Sequence, residues 1–176
     1  FINRHEVVDL LSAISDQRML SNFFRVGGVN WDTNDEFLSR LGTWRSHVLD
    51  NIEMNERMIT ENEIFTARTK GMGVLSGDDA IALGVTGPNL RASGVPFDVR
   101  KAHPYSIYNE LEFDVITQQS GDSYARYVQR IAEIKQSIHL IDQIIDKMPH
   151  GPVQAQVPGI IRPRPGRAYG AVESPR

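Results

Sequence analysis

Two glycine-rich loops carry the residues best suited to recognition chemistry in this sequence. Arg25 precedes the pair Gly27–Gly28, and the segment Gly84–Lys101 (below, the Arg91 segment) contains Arg91 and Arg100. A guanidinium binds a carboxylate through two parallel hydrogen bonds, and glycine adopts backbone conformations that other residues reach only at a cost. We therefore expect the Arg91 segment to be a shaped loop and a contact surface, while the residues alone leave the task of the first loop open.

The residues that usually carry catalysis do not form a recognisable set. The chain has no cysteine, so these residues hold no disulfide, thiolate metal site or cysteine nucleophile. Its five histidines lack metal-ligand spacing, and there is no G-x-x-x-x-G-K-[ST] loop. The acidic pairs Asp78–Asp79 and Glu61/Glu63 are better explained as charges at helix starts than as an acid–base couple. Residue chemistry alone predicts a scaffold.

Composition narrows the class of protein further. The 176 residues suffice for one domain with a substantial core, and 40% hydrophobic with 23% charged residues is an ordinary globular composition. The net charge of −3 gives no electrostatic reason to expect nucleic acid as a partner. No apolar run approaches the roughly 20 residues that span a bilayer.

Hydrophobic periodicity predicts helices for most of the chain. A first helix should end near Arg18–Met19, and a second should cover about residues 34–59 with Asp32 as a possible N-cap. A short helical turn is expected at residues 62–68, and another short helix should begin after Ser76 and end at Gly84.

The longest apolar stripe predicts the strongest helix, over residues 123–148. Its apolar residues recur every three or four positions, and Asp122 precedes it as a cap. A stripe this continuous argues for burial against at least two other helices. Before it, residues 105–116 alternate only in parts and should be extended or irregular.

We predict a mostly α fold, a helical bundle core with glycine-rich loops and little β structure. We divide the chain into a helical core, residues 1–150, and a proline-rich connector, residues 151–176, that leads into a truncated strand region. Five prolines in that connector indicate extended chain with little packing of its own. Because both ends interrupt a pattern, we expect an internal fragment of a longer polypeptide.

Motifs spread along most of the chain resemble one known family. The Arg91 segment fits G-x-S/T-G-x-x-L-R-x-S-G-x-x-x-D-x-R-K at every fixed position. Four further motifs occur in the order that the family shows. They are Arg18–Met19 with Arg25 and Gly27–Gly28, the run I-T-E-N-E-I-F, the start of the last helix, and Glu173–Ser174–Pro175–Arg176. Together they resemble the D subunit of respiratory complex I, NADH:quinone oxidoreductase, a homologue of the nickel–iron hydrogenase large subunit.

The resemblance implies a piece of a proton-pumping machine. The fold would be that of the hydrogenase large subunit and the complex I D subunit, placed peripherally on the cytoplasmic face of the inner or plasma membrane. Its partners would be the cluster-bearing B subunit, the C subunit, the membrane H subunit and quinone. The whole complex would use quinone and NAD(H), with iron–sulfur clusters on partner subunits, and no cofactor or metal is expected within this stretch.

The resemblance also suggests roles for individual residues. Arg25, Gly27 and Gly28 would lie toward the cluster-bearing partner. Arg91 and Arg100 would hold inter-loop or inter-subunit carboxylates, or else form internal ion pairs without a functional contact. No catalytic residue is assigned, because the quinone ligands of this family lie upstream of Phe1.

Two departures from the family pattern are informative. A short proline-rich connector replaces the insertion that many members carry after the last bundle helix. Leu20 stands where many respiratory members have a histidine close to the terminal cluster. Since leucine cannot titrate, the resemblance implies a cluster potential nearly independent of pH. The changes suggest a divergent branch with another electron donor or quinone.

Two other functions stay open. The chain could belong to the homologous large subunit of a membrane-bound hydrogenase, or of a ferredoxin- or deazaflavin-linked quinone or phenazine reductase. Paired Cys-x-x-Cys motifs at both ends of the full-length protein would indicate a hydrogenase. A non-catalytic helical interaction domain is the third interpretation, and it predicts no neighbouring gene for a cluster-binding subunit.

Overall fold

The computed structural model describes residues 2–19 and 22–171, and these residues are mostly helical with one short hairpin. This confirms the expected mostly α class with little β structure. The chain forms two compact units, Phe1–Asn51 with Pro149–Arg167 and Ile52–Met148 with Ala168–Arg176. The predicted division at residue 150 stays a prediction. Each unit is described by itself.

The first unit contains two helices and a hairpin. Helix α1 spans Ile2–Ser15, strands β1 (Phe24–Arg25) and β2 (Gly28–Val29) pair antiparallel, and helix α2 spans Asp35–Asn55, its last turn belonging to the second unit. Leu10 on α1 and Val48 on α2 are buried, at 6% and 5% exposure. Val48 belongs to the apolar face that the helical periodicity of residues 34–59 predicts.

Two boundaries in this unit differ from the prediction. Helix α1 ends at Ser15, three residues early, because Asp16 has φ +57 and the left-handed conformation stops a helix. The cap of α2 is Asn34 and not Asp32. The Asn34 side chain accepts a hydrogen bond from the Phe37 amide at 2.8 Å, whereas Asp32 accepts from its neighbour Thr33.

The proline-rich connector is packed at its start, contrary to expectation. The Val29 amide donates to the Val153 carbonyl at 3.0 Å and the Ala155 amide donates to the Gly27 carbonyl at 2.9 Å. Gln154 thereby forms an antiparallel bridge to Gly28. The edge of a two-stranded hairpin leaves backbone groups unpaired, and the connector satisfies them. From residue 156 to 171 the chain is neither helix nor strand, and residues 172–176 of the predicted strand region lie outside the described residues.

In the described residues, the second unit consists of a π-helix, four short α-helices and a 3₁₀ turn around one long α-helix. The π-helix Glu56–Thr60 continues directly from α2, so the predicted helix over 34–59 is confirmed in extent. The remaining elements are α3 (Glu63–Thr69), α4 (Gly77–Ala82), α5 (Gly87–Ala92), α6 (Val99–Ala102), the 3₁₀ turn Tyr108–Glu110 and α7 (Ser123–Asp146).

Three predicted helix starts are confirmed by their caps. Ser76 accepts from the Asp79 amide at 3.1 Å and its hydroxyl donates to the Asp79 carboxylate at 2.7 Å. Asp122 accepts from the Ala125 amide at 2.7 Å and so begins α7. Asn62 accepts from two amides of α3. Each cap satisfies donors that the helix itself cannot use.

Helix α7 packs against two neighbours, α3 and α5, which confirms the expected burial. The ring of Phe65 on α3 meets that of Tyr127 edge-on, with centroids 5.0 Å apart, and Thr60 bonds the Tyr127 hydroxyl at 3.0 Å. Further along, Leu140 forms a buried apolar cluster with Leu111 and Phe113. The irregular stretch before α7 is therefore part of the core.

Candidate functional site

The Arg91 segment forms the two short helices α5 and α6, whereas the sequence suggested a shaped loop. Pro88 stands in the first turn of α5, where its fixed φ fits a helix and its missing amide is not needed. Asp98 caps α6 by accepting from the Arg100 amide at 2.9 Å. Gly94 connects the two helices with φ +89, a conformation that favours glycine.

Arg91 is buried on α5, with 2% of its surface exposed. Its Nε donates to Oε1 of Glu133 on α7 at 2.6 Å, and its Nη1 donates to the Phe97 carbonyl at 3.0 Å. Its Nη1 also lies 3.8 Å from Oδ2 of the equally buried Asp98. The carboxylates expected for Arg91 are therefore present within the same unit, on α7 and in the Arg91 segment itself.

Arg100 makes the two-bond pair that the sequence suggested for these arginines. Its Nε and Nη2 donate to the two carboxylate oxygens of Asp98, at 3.0 and 2.6 Å. Its guanidinium carbon lies 5.1 Å from the centre of the Phe113 ring and 5.7 Å from that of Tyr108. The planar guanidinium stacks on these aromatic faces and is attracted to them electrostatically, and a lysine ammonium would fit this arrangement less well.

The titration behaviour of the pair follows from this geometry. Burial raises the pKa of Asp98, but hydrogen bonds from the Arg100 side chain and amide and the charges of Arg100 and Arg91 outweigh burial, so the pKa of Asp98 is lowered. The hydrogen bond to Asp98 raises the pKa of Arg100. The pair is therefore held in its charged form, which suits a structural clamp and not proton exchange.

Gln129 completes the network, and sequence reasoning missed it. Its side chain is fully buried on α7, and its Nε2 donates at 2.6 Å both to the Ile116 carbonyl and to the same Glu133 oxygen that Arg91 binds. Gln129 and Glu133 stand four residues apart on one face of a helix. The sequence signal that could have identified Gln129 is this polar pair, four residues apart and beside the apolar stripe of α7.

The two residues before α7 are held in place by close contacts with residues 71–75. Gly121 has φ +58, and a Cβ atom there would lie 2.1 Å from the Leu75 carbonyl oxygen. Asp122 accepts from the Gly71 amide at 2.9 Å in addition to capping α7. Burial raises the pKa of Asp122, while backbone hydrogen bonds from Gly71 and Ala125 lower it, and the net effect is a lowered pKa.

The glycine pair of the first loop faces the connector. Arg25 lies in β1, half-buried, and its Nη1 donates to Asn22 and to the Phe24 carbonyl. A Cβ on Gly27 would lie 2.9 Å from the Val157 side chain, and one on Gly28 would lie 2.2 Å from the Val153 carbonyl oxygen. This contact explains why the positions are glycine. Leu20, the sixth predicted residue, lies outside the described residues.

The predicted residues thus fall into separate groups. Arg91 and Arg100 come together around Asp98 in the second unit, while Arg25, Gly27 and Gly28 share the hairpin of the first unit. Among the described residues, no group of three or more histidine, aspartate and glutamate side chains could hold a metal ion. No helix of the described chain is long and apolar enough to cross a membrane. The Arg91 network can clamp α5 and α6 to α7.

Comparison with known proteins gives one family across the chain. The family model described as the 49 kDa subunit of respiratory-chain NADH dehydrogenase matches residues 1–175. The match includes the Arg91 segment, the hairpin loop and α7.

Curated relatives carry a corresponding name. The D subunit of NADH-quinone oxidoreductase from Clostridium beijerinckii is 44% identical over 173 residues, 98% of this chain and 47% of the relative. The Carboxydothermus hydrogenoformans protein of the same name is 42% identical over 176 residues, 100% of this chain and 48% of its own. The Sinorhizobium medicae relative, the second D subunit named for that organism, is 46% identical over 160 residues, 91% and 40% of the two chains. The chain therefore spans about half the length of the curated relatives it matches.

Proposed function

Because the chain belongs to the family of the 49 kDa subunit of respiratory-chain NADH dehydrogenase, we propose that the full-length protein is the quinone-site subunit of a proton-pumping NADH:quinone oxidoreductase. The observation that carries this proposal is the match along residues 1–175, together with identities above 40% to D subunits of NADH-quinone oxidoreductases. In the same proposal, the full-length fold is that of the hydrogenase large subunit.

Within that subunit, these residues serve as a scaffold beside the terminal iron–sulfur cluster. Helix α7, clamped to α5 by Arg91 and Glu133, provides a rigid wall, since every charge of the clamp has a partner within the unit. The hairpin around Arg25, Gly27 and Gly28 lies toward the cluster-bearing subunit. Its exposed Phe24 and Val26, at 81% and 61%, support a surface that another chain covers.

The residues present do not fit a resident iron–sulfur cluster or a metal ion held by three side chains of the described chain. The chain contains no cysteine to bind an iron–sulfur cluster, and the described residues bring no three metal-binding side chains together. We therefore assign the clusters to partner subunits. The family resemblance, and not the structure, leads us to assign the ligands of the quinone head group to other parts of the subunit. No step of catalysis is assigned to Arg91 or Arg100.

The proposed partners are those of the complex, namely the cluster-bearing B subunit, the C subunit and the membrane H subunit. The protein would lie peripherally on the cytoplasmic face of the membrane. The homologous subunit of a membrane-bound hydrogenase or of a ferredoxin- or deazaflavin-linked reductase is the alternative. Paired Cys-x-x-Cys motifs in the full-length protein would decide for the hydrogenase.

Deletion of the gene from its host tests the function directly. We expect membranes of the deletion strain to lose inhibitor-sensitive NADH:quinone reductase activity, and the full-length gene to restore it. An affinity tag on the restored subunit should co-purify polypeptides that carry iron–sulfur clusters. Unchanged NADH oxidation with loss of ferredoxin-dependent quinone reduction would favour the alternative donor, and loss of hydrogen-dependent reduction would indicate the hydrogenase.

A further inference from the structure

The π-helix Glu56–Thr60 continues α2 and lies beside α7. In a π-helix an amide bonds the carbonyl group five residues back, and the Glu61 amide donates to the Glu56 carbonyl in this way at 3.1 Å. A π-helical turn therefore holds more residues than an α-helical turn, and such turns are frequent at functional sites. The residue that faces inward is shifted along the chain relative to a continued α-helix.

Two side-chain contacts join the π-helix to α7. The hydroxyl groups of Thr60 and Tyr127 are hydrogen-bonded at 3.0 Å in a partly buried position. Nζ of Lys135 donates to Oε1 of Glu56 at 2.7 Å, but these two side chains are 47% and 37% exposed. Because an exposed ion pair contributes little, the hydroxyl contact is the main one that holds the π-helix in its register.

A cavity of about 100 Å³ lies between the π-helix and α7. Val128, Ile131 and Ala132 give it an apolar wall on α7, and Glu56 and Thr60 line it on the other side. Truncation of a large aliphatic side chain leaves a space of this order, and its lining loses packing contacts. Both walls belong to the second unit, so the cavity follows from how the π-helix and α7 pack.

A continued α-helix would turn Ile59, and not Thr60, toward the buried side. At roughly 100° per residue, Ile59 would lie about 20° from Ile52, whereas Thr60 would lie about 80° from it. Ile52 is 4% exposed and marks the buried side of the helix. In the π-helix Thr60 lines the cavity and Ile59 does not. The apolar residue that the α-helical spacing supplies is thus kept out of an apolar cavity.

We propose that residues 56–60 are a two-state turn, which alternates between the π register and an α register in which Ile59 fills the cavity. In the α register Ile59 packs against Val128 and Ile131. The exchange replaces a polar contact with α7 by an apolar contact at the same place on α7. This direction of Ile59 is set by the backbone register, and it does not depend on what covers the outer surface of the helix.

The two registers are close in free energy. The π register has the hydrogen bond between Thr60 and Tyr127 and leaves the cavity unfilled, while the α register loses that bond and buries an aliphatic side chain. The net contribution of one neutral hydrogen bond and that of burying part of an aliphatic side chain are similar, so both registers are populated. Glu61 and Asn62 lie between the π-helix and α3 and can take up the shift.

Disulfide trapping in the full-length subunit, purified with the polypeptides that assemble with it, tests the proposal. Ile59→Cys and Ile131→Cys are introduced together, and the thiol oxidant diamide is added. A disulfide requires Cβ atoms within about 4.5 Å, which only the α register provides. We expect linked peptides that contain positions 59 and 131 by mass spectrometry. Arg57→Cys with Ile131→Cys is the positional control and should give none, because position 57 faces away from α7 in both registers.

Two threonine substitutions on the double-cysteine background supply the matched comparison. Thr60→Val removes the hydroxyl that bonds Tyr127 and keeps the side-chain shape, so it should raise the initial rate of disulfide formation about fivefold. Thr69→Val makes the same change on α3, where the hydroxyl donates to the Phe65 carbonyl at 2.7 Å. It should change the rate by less than about twofold.

A second cysteine pair keeps the test decisive. If Ile131→Cys prevents purification, Val128→Cys takes its place, because Val128 lines the same cavity. Absence of a disulfide from position 59 in both pairs, even with Thr60→Val, would overturn the proposal, since the turn then stays π or another part of the subunit occupies the cavity. Equal trapping from position 57, or equal acceleration by Thr69→Val, would also overturn it, because either indicates general opening of the chain.

The inference stands apart from the proposed function. Both cysteines belong to one chain, so the result is the same whichever electron donor or complex the full-length subunit serves.

Discussion

Lysine cannot replace Arg91 without the loss of a contact. With 2% exposure, its guanidinium reaches Glu133 and the Phe97 carbonyl in two directions, and a single ammonium cannot do both. We expect Arg91→Lys to lower the free energy of unfolding by about 2–5 kcal/mol, because Glu133 would lose a buried partner. Urea unfolding of the chain measures the loss, and the yield of assembled complex should fall with it.

Arg57→Lys is the control for that substitution. Arg57 is 67% exposed and pairs with Glu53 across one helical turn, so its replacement should change stability by less than about 0.5 kcal/mol. Equal effects of the two substitutions would show that the Arg91 contacts contribute no more than a surface ion pair.

Asp98 gives the network a predictable dependence on pH. Its pKa is lowered in the folded chain, so its contribution to stability is complete above the unfolded-state pKa near 3.8 and disappears as the pH falls through the lower folded-state value. We expect Asp98→Asn to destabilise the chain at pH 7. The difference from the unsubstituted chain should shrink below about pH 4, as followed by urea unfolding at several pH values.

Asp114→Asn controls for the loss of a negative charge at an exposed position. It should leave a small difference in the free energy of unfolding at every pH. If Asp98→Asn behaves like Asp114→Asn, the pair with Arg100 does not stabilise the fold.

At the scale of single residues, the sequence indicates that Arg91 and Arg100 bind carboxylates but not which carboxylates they bind. A glycine-flanked arginine predicts carboxylate recognition from its own chemistry, and both arginines of the Arg91 segment meet carboxylates. Glu133 lies 42 residues further on, and only the tertiary fold brings it to Arg91. The role of Arg25, Gly27 and Gly28 toward another subunit stays a prediction.

Among the elements, the hairpin and connector form the contact most sensitive to a single atom. Gly28 has φ +153, and an added Cβ would meet the Val153 carbonyl oxygen at 2.2 Å. We expect Gly28→Ala to cost about 1–3 kcal/mol from backbone strain alone and to free the connector from the hairpin. Hydrogen exchange at the Val29 and Ala155 amides should accelerate, because both amides donate across this contact.

The chain offers a matched glycine for comparison. Gly42 lies within α2, where an added Cβ meets nothing within 4 Å. Gly42→Ala should stabilise the chain by roughly 0.5–1 kcal/mol, since alanine loses less backbone freedom in a helix. Unchanged exchange at Val29 in Gly28→Ala would contradict the connector contact.

The positions of α4 and α7 were predictable because their signals are local. Caps at Ser76 and Asp122 and the apolar spacing of α7 lie within one or two turns of the helices they define. The end of α1 and the pairing of residues 153–155 depend on a left-handed residue and on a distant strand edge. Neither leaves a pattern in the neighbouring sequence, and so both were missed.

On the scale of the whole molecule, we expect the purified chain to have no redox activity by itself. It has no cysteine, and its described residues gather no three metal-binding side chains. We expect the purified chain to contain no stoichiometric iron, nickel or zinc by elemental analysis and to show no quinone reductase activity. Metal at one equivalent that survives dialysis against chelator would contradict this.

The contact between Arg91 and Glu133 can form only some time after Arg91 has been translated. Ribosomes add about 5–20 residues per second, so the 42 residues that separate the two take about 2–8 s to make. During that interval α5 is complete and Asp98 soon follows, but Glu133, which accepts the hydrogen bond from Nε of Arg91, has not been translated. A nascent chain stalled before α7 would therefore hold Arg91 without its nearer carboxylate and an apolar face without the helix that covers it, which makes it a natural client for ribosome-bound chaperones.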